Sequence, residues 1–327
     1  MERSKRFWST NENTYFTLST KMSLESNAIE MMMLTCKNGG CTISDSGGKD
    51  SSVIKHLALK AHDKYGLAIR IRHNHTTVDA PETVYYVRKQ KKIFNSMGIE
   101  YDIQMPPETM FQLIVRKGTP PTRKMRYCCE KLKEYSGIGE KLVTGVRKAE
   151  SRNRANNQGI ITFTKPKKDL KQQIEDNSNF HITDKGGVVV LNLDNADTRR
   201  VVENCYRTNK TLINPIVEWG NDDLWRYIRQ EKIDLNPCYS CGSDRCGCVG
   251  CPMAGKQRWN EFAKYPKYRD YYIHAFDQML ITREKRGLKN MNAWSTGLKV
   301  FKWWMEDENI DGQLGFDEYG NITEDYS

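Results

Sequence analysis

No stretch of the 327 residues approaches the roughly 20 uninterrupted apolar positions that a membrane-crossing helix needs. A spanning helix is therefore not expected, and neither is a membrane partner. Residues 1–20 are polar and basic and lack the apolar core of a secretory signal, so we expect no signal peptide and a cytoplasmic, reducing location. No internal repeat is visible. The Gly-Lys-Ser/Thr signature of a Walker-type phosphate loop is also missing, which argues against that way of holding magnesium. Lys and Arg are absent from residues 305–327, which hold eight acidic side chains. The remainder carries 51 basic against 33 acidic groups, an excess of 18, although the whole chain nets only +10. Basic clusters stand at 88–92, 123–126, 165–171 and 283–289. Such an excess suits a polyanion such as nucleic acid, or a nucleotide site; a solvated lysine-rich surface is the plainer alternative.

Residues 44–51 read SDSGGKDS and are the most informative stretch. They follow a short apolar run (Cys41, Thr42, Ile43). They precede a helical pattern (Val53, Ile54, Leu57, Ala58, Ala61). The loop is thus a tight strand-to-helix turn. Adjacent glycines let backbone N–H groups converge, and the helix adds its positive end, which together make an anion pocket. Ser46 and Ser51 add hydroxyls and Lys49 a charge.

Alternating strands and helices follow. We expect helices at 21–35, 52–64, 82–97, 107–117 and 127–135, and strands at 41–45, 67–72, 99–104, 141–146 and 188–193. This order predicts an α/β fold with right-handed crossovers and a parallel sheet. Residues 152–187 are poorly periodic and read as an insertion or mobile loop. A further helix should start after 219, capped by Asn221. The domain reading is a flexible arm at 1–20 and a nucleotide-binding α/β domain at 21–235, with the insertion at about 152–187. A cysteine-rich loop and C-terminal helices follow at 236–308, then an acidic tail at 309–327. Ligands of an open parallel sheet bind beyond the strands' carboxyl ends. Three such ends carry polar residues: SDSGGKDS, NHTTVDAPE (74–82) and GVRKAES (145–151).

The ordered set SGGKDS, VDAPET, CCEKLK, GVRKAESRNRA, NPIVEWGNDDLWRYI and GCVGCPM resembles the phosphoadenosine phosphosulfate (PAPS) reductase family over about residues 20–260. SGGKDS itself resembles the pyrophosphate-binding loop of ATP pyrophosphatases, including the enzyme of DNA phosphorothioation. The resemblance implies an adenine-nucleotide α-hydrolase-like, Rossmann-like core. It implies a nucleotide held by Ser44, Ser46, Gly47, Gly48, Lys49, Asp50, Ser51, Asp79, Gly145 and Arg147. Of these, Lys49, Asp50 and Arg147 would be catalytic. Asp79 and Glu82 would orient ribose or magnesium, or cap the next helix. Glu150 and Arg154 would face the nucleotide or form a structural ion pair. Asp45 departs from the family, which usually has an apolar or aromatic residue there.

The chain has ten cysteines and none after Cys251. By resemblance, Cys128, Cys129, Cys248 and Cys251 would ligate a [4Fe-4S] cluster, with Arg126, Lys131 and Lys133 favouring thiolate. A local zinc or iron–sulfur site using Cys238 or Cys241 with Cys246, Cys248 and Cys251 is the alternative. Cys36, Cys41 and Cys205 read as small buried residues. PAPS reductases use a cysteine near the C-terminus, which this chain lacks, and they tend to lose the full phosphate loop, which this chain keeps. The expectation is therefore an ATP pyrophosphatase that uses ATP and Mg2+ to adenylate an acceptor for sulfur transfer. The acceptor would be nucleic acid and the sulfur source a cysteine desulfurase or other donor; a homo-oligomer is allowed. The alternatives are a PAPS or adenylyl-sulfate reductase, and a non-catalytic nucleotide-sensing, nucleic-acid-binding module.

Overall fold

The computed structural model describes residues 23–151, 154–155, 158–164, 180–183, 187–190, 210–240, 245–290, 294–305, 314–316 and 322–324. The arm expected at 1–20, the basic run 165–171, Cys205 and Cys241 lie outside the described residues. The first half alternates α1 (Leu24–Cys36), β1 (Cys41–Ser44), α2 (Lys49–Tyr65), β2 (Ile69–Asn74), α3 (Pro81–Ser96), β3 (Tyr101–Gln104) and α4 (Met110–Lys117). Local chemistry sets several of these ends. Gly66, left-handed at φ 68°, closes α2, and Pro81 opens α3. Thr109 and Gln112 cap α4 reciprocally.

A single π-helical turn spans Cys129–Lys133, where an ordinary helix was expected over 127–135. Its defining bond runs from the Glu134 N–H to the Cys129 carbonyl at 2.9 Å. Such widened turns recur at functional sites. Then come β4 (Lys141–Val143), β5 (Ile161–Thr164), β6 (Phe180–Ile182), β7 (Val188–Val190), β8 (Lys210–Ile213) and α5 (Asn221–Gln230). The C-terminal helices are α6 (Gln257–Lys264), α7 (Pro266–Lys285) and α8 (Gly297–Met305).

Eight strands form one sheet in the order β3-β2-β1-β4-β8-β5-β7-β6. The first five run parallel and the other three pairings are antiparallel. Of the two readings of 152–187, insertion or mobile loop, the strands β5 and β6 overturn the second. Ile161 and Phe163 on β5 and Phe180 on β6 are buried and, with Val188 and Val190, form a small core that extends the sheet. Part of the acidic tail is also paired, as an antiparallel ribbon of β9 (Leu314–Phe316) and β10 (Ile322–Glu324). The helix after 219 is capped by Gly220 rather than Asn221, with the Gly220 N–H donating to Asp223. Asn221 is inside the first turn, and its side chain is used elsewhere.

Two apolar cores flank the strand ends. One packs α1 and α2 on the parallel sheet through Met32, Val53, Ile54, Leu57, Ile43, Ile71 and Val143. The other packs α4 with α6, α7 and α8, and includes the Cys128 and Cys248 side chains. Its centre is Trp304, which lies 4.9 Å from Tyr272 between ring centroids and 4.0 Å from the Arg258 guanidinium. The indole N–H donates to the Pro121 carbonyl at 2.6 Å.

A buried ion pair ties the parallel sheet to α2. Asp45, just past β1, accepts from Lys55 Nζ at 2.6 Å and from the Tyr101 hydroxyl at 2.6 Å. Its other oxygen accepts from the Gly47 N–H and the Ser51 hydroxyl, each at 2.8 Å. His73 Nδ1 lies 2.9 Å from the Asp45 carbonyl oxygen. Burial alone would raise this carboxyl, but the charges of Lys55 and then His73 outweigh burial and hold it below the ordinary range.

Replacing Trp304 by Ala should cost about 3–5 kcal/mol in urea unfolding and speed thiol labelling of Cys128. Asp45→Asn leaves Lys55 charged and unpaired, which should cost roughly 3–5 kcal/mol. Because folding lowers the Asp45 pKa, its stabilisation is present above the ordinary carboxylate value of about 3.9. It is lost as pH falls from there towards the folded value. Denaturation curves between pH 7 and pH 3 should show this acid slope in the wild type and a shallower one in Asp45→Asn.

Candidate functional site

The ends of β2, β1 and β4 lie side by side, so the three polar segments that follow them converge as expected. The loop between β1 and α2 holds Ser44 and Ser46 at the surface, Gly47, Gly48 and Ser51 buried, and Lys49 and Asp50 partly buried. Gly47 has a φ of 73°, and a Cβ there would meet Thr83 Cγ2 at 2.9 Å. Glycine is required by backbone conformation and by packing against α3. Gly48 occupies the N-cap of α2 and has no side chain to cap with. The turn is braced internally: the Ser46 hydroxyl lies 3.3 Å from Ser51 Oγ and accepts from the Gly48 N–H at 3.4 Å.

Gly145 follows β4 and lies directly against the loop. A Cβ there would fall 2.8 Å from the Asp50 carbonyl carbon, so only glycine admits this approach. Arg147 is 1% exposed. Its Nε donates to Asp50 at 2.6 Å, and its Nη1 donates to the Trp219 carbonyl at 3.2 Å and to Asn221 Oδ1 at 3.0 Å. Lys49 Nζ lies 3.2 Å from the other Asp50 oxygen. Arg147 and Asp50 therefore reach the site as a fixed pair, which leaves Lys49 as the more accessible cation. Glu150 forms the structural ion pair with Arg154 and also accepts from the Arg147 N–H at 3.0 Å. Asp50 already faces two cations, so it is a poor protein ligand for magnesium; such an ion would be held mainly through the nucleotide's own phosphates and water.

Asp79 lies in the segment that follows β2. It accepts from the Thr76 N–H at 2.7 Å and is bridged in antiparallel register to Cys248. Glu82 pairs with Lys264 at 2.8 Å and accepts from the Tyr265 hydroxyl at 2.5 Å, fastening α3 to the C-terminal helices. No side chain caps α3 at its N-cap, Ala80, but Glu82 stands in the first turn and its carboxylate accepts from its own backbone N–H, as a helix-start role expects. In the same segment Thr77 takes a φ of 65°, uncommon for a β-branched residue. The Met110 N–H donates to its hydroxyl at 2.9 Å.

The structure gathers Cys128, Cys129, Cys248 and Cys251 at this edge. Cys128 and Cys129 are hydrogen-bonded, and Cys128 also feels the charges of Cys248 and Cys251. The contact with Cys128, together with Arg126 Nη2 at 3.4 Å, holds the Cys129 thiol below its ordinary range. Burial raises Cys248, which donates to Thr76 Oγ1 at 3.3 Å. Lys133 faces Cys248 first, then Asp79, Cys251 and Cys129, and these keep its ammonium charged. Among the described residues no three or more His, Cys, Asp or Glu side chains are placed so that they could hold a metal ion. The all-sulfur donor set with cations beside it nonetheless fits the chemistry of an iron–sulfur cluster. Of the alternative ligand set, Cys241 lies outside the described residues. Cys238 and Cys246 are bonded to each other, and a disulfide sulfur is no thiolate ligand.

Residues that motif spacing missed complete the site. Asn236 donates to the Gly47 carbonyl at 3.1 Å and to Thr83 at 2.9 Å. The Tyr239 hydroxyl accepts from the Lys49 N–H at 2.9 Å. Both lie about 190 residues from the loop they touch. The only local hint was the Asn-Pro turn signal at Asn236.

Residues 40–254 match the model of the phosphoadenosine phosphosulfate reductase domain. An uncharacterized protein of Methanocaldococcus jannaschii is 26% identical over 264 residues, covering 77% of this chain and 50% of its own. Sulfate adenylyltransferase subunit 2 of Methylobacterium nodulans is 25% identical over 226 residues, covering 66% of this chain and 64% of its own. The chain thus spans about half to two thirds of the length of these relatives. Among solved structures, the U34-tRNA thiolase NcsA of Methanococcus maripaludis with its [4Fe-4S] cluster matches with a TM-score of 0.41, at 11% identity over 83% of this chain and 82% of its own. With the family model covering well over half of the chain, this protein belongs to the phosphoadenosine phosphosulfate reductase domain family, within the adenine nucleotide α-hydrolase superfamily.

Proposed function

We propose that the chain is an ATP pyrophosphatase that adenylates an acceptor for sulfur transfer, the acceptor being a nucleic acid. The observation that carries this reading is the loop at 46–51, intact at the amino end of α2 and braced by Gly145 and the Arg147–Asp50 pair. An acceptor oxygen would attack the α phosphorus of ATP. The new O–P bond would form as the bond to the β-phosphate oxygen breaks and pyrophosphate leaves. The N–H groups at the start of α2 and the Lys49 ammonium would take up charge on the departing phosphates. Arg147 would act through Asp50, fixing that carboxylate against the loop. The terminal sulfur of a persulfide on a cysteine desulfurase or other donor would then attack the activated atom of the acceptor as AMP leaves. A thiol reductant would cleave the resulting S–S bond, freeing the acceptor sulfur while forming a disulfide with the donor cysteine.

The four thiols would hold a [4Fe-4S] cluster, which when bound supplies soft iron for sulfur handling. A nucleic acid acceptor is supported by the surface charge. Arg123, Lys124 and Arg126 are exposed on the segment leading to Cys128. Arg88, Lys89 and Lys92 stand on the outer face of α3 beside the exposed ring of Tyr85, a pairing suited to phosphates and bases. The relative named sulfate adenylyltransferase subunit 2 agrees with adenylyl transfer.

Anaerobically purified protein should bind ATP with magnesium in preference to PAPS in calorimetric titrations. Lys49→Ala should lower pyrophosphate release at least about a hundredfold, as for loss of one preorganised transition-state contact, with circular dichroism unchanged. Preference for PAPS, or undiminished release in Lys49→Ala, would overturn the reading in favour of a reductase or a non-catalytic nucleotide sensor.

A further inference from the structure

The segment 236–239 crosses the phosphate loop as a short strap. Asn236, 1% exposed, anchors it: its amide N–H2 donates to Gly47 and Thr83, and its Oδ1 accepts from the Cys238 N–H at 3.1 Å. Pro237–Tyr239 forms a 3-10 turn, closed by the Tyr239 N–H on the Asn236 carbonyl at 3.1 Å. This turn delivers the Tyr239 hydroxyl to the amino end of α2, where it accepts from the Lys49 N–H at 2.9 Å. The same oxygen lies 3.4 Å from where a Cβ on Gly48 would project. Lys49 Nζ lies 5.9 Å from the Tyr239 ring.

The Lys49 N–H is the first helical donor of α2, the kind of group that receives a phosphate oxygen at a helix start. Here a phenol oxygen already accepts from it. Nucleotide and phenol cannot share one N–H at full strength. A phosphate oxygen carries charge and makes the stronger bond, so it would win, but only after the phenol is released. We propose that the Tyr239 hydroxyl stands in for a phosphate oxygen of the nucleotide, and that binding displaces it from the Lys49 N–H. This rests on the nucleotide reading of the loop and adds a specificity determinant to it. A ligand with a single weak anionic group repays the displacement poorly, whereas a pyrophosphate group, bonding several donors at once, repays it fully.

Trp225 on α5 reports on the displacement, because its ring stands perpendicular to that of Tyr239 with centroids 6.1 Å apart. The test is calorimetric titration of wild type and Tyr239→Phe with magnesium pyrophosphate. It is paired with 19F NMR of the 5-fluorotryptophan-labelled wild type, the Trp225 signal being assigned through Trp225→Phe. Tyr239→Phe should bind pyrophosphate about fivefold more tightly, as for loss of one competing neutral hydrogen bond. The Trp225 resonance of the wild type should shift on saturation. Equal or weaker binding by Tyr239→Phe overturns the inference and leaves the nucleotide reading standing, because pyrophosphate still binds. Binding by neither protein overturns both. If Tyr239→Phe does not fold, the wild-type resonance decides: a shift supports displacement and an unmoved signal rejects it.

Discussion

The Asp45–Lys55 ion pair is the constraint on which the site depends. A carboxylate and an ammonium this deeply buried are stable only when their hydrogen-bonding capacity is filled, and every filling here has a structural effect. Lys55 brings the second turn of α2 down onto the end of β1. Tyr101 brings in β3, and His73 on the Asp45 carbonyl brings in β2. The remaining carboxylate oxygen takes the Gly47 N–H and the Ser51 hydroxyl, so the phosphate loop is folded around an internal anion before any ligand arrives. An apolar residue at this position could fill the volume but could not order the loop in this way. The departure from the family at Asp45 thereby acquires a physical account.

The site forms where two separately packed cores meet. On one side the parallel sheet and α2 present backbone N–H groups and Lys49. On the other, the packing of α4 with the C-terminal helices holds Cys128 and Cys248, and the bridge between Asp79 and Cys248 brings that core to the sheet's carboxyl edge. Glu82, reaching Lys264 and Tyr265, fastens the same junction from α3. The segments that follow β1 and β2 and the cysteine-bearing core are thus brought to one end of the sheet by packing, although the motifs are spread over some two hundred residues of sequence.

Charge placement around the loop follows the same economy. Arg147 is buried against Asp50, and Asp50 also faces Lys49, so the net positive charge available to a phosphate comes from Lys49 and the helix end. Arg126 leans towards the thiols. The wide π turn begins at Cys129, directly after Cys128.

Local patterns alone determined the alternation of strands and helices through β3, the turn at 44–51, and the need for glycine at 47. These follow from short-range rules: apolar spacing, turn chemistry, and the steric freedom of residues without a Cβ. The strands inside 152–187 were not legible, because three- and four-residue strands carry too little periodicity to be seen until a neighbour completes their pairing. The fixed pairing of Arg147 with Asp50, the distant partners of Asp79 and Glu82, the hub at Asp45, and the reach of Asn236 and Tyr239 over the loop were decided only by the tertiary structure. Each depends on which distant groups share a buried space, where an unpaired charge or donor is costly, and no local spacing encodes that.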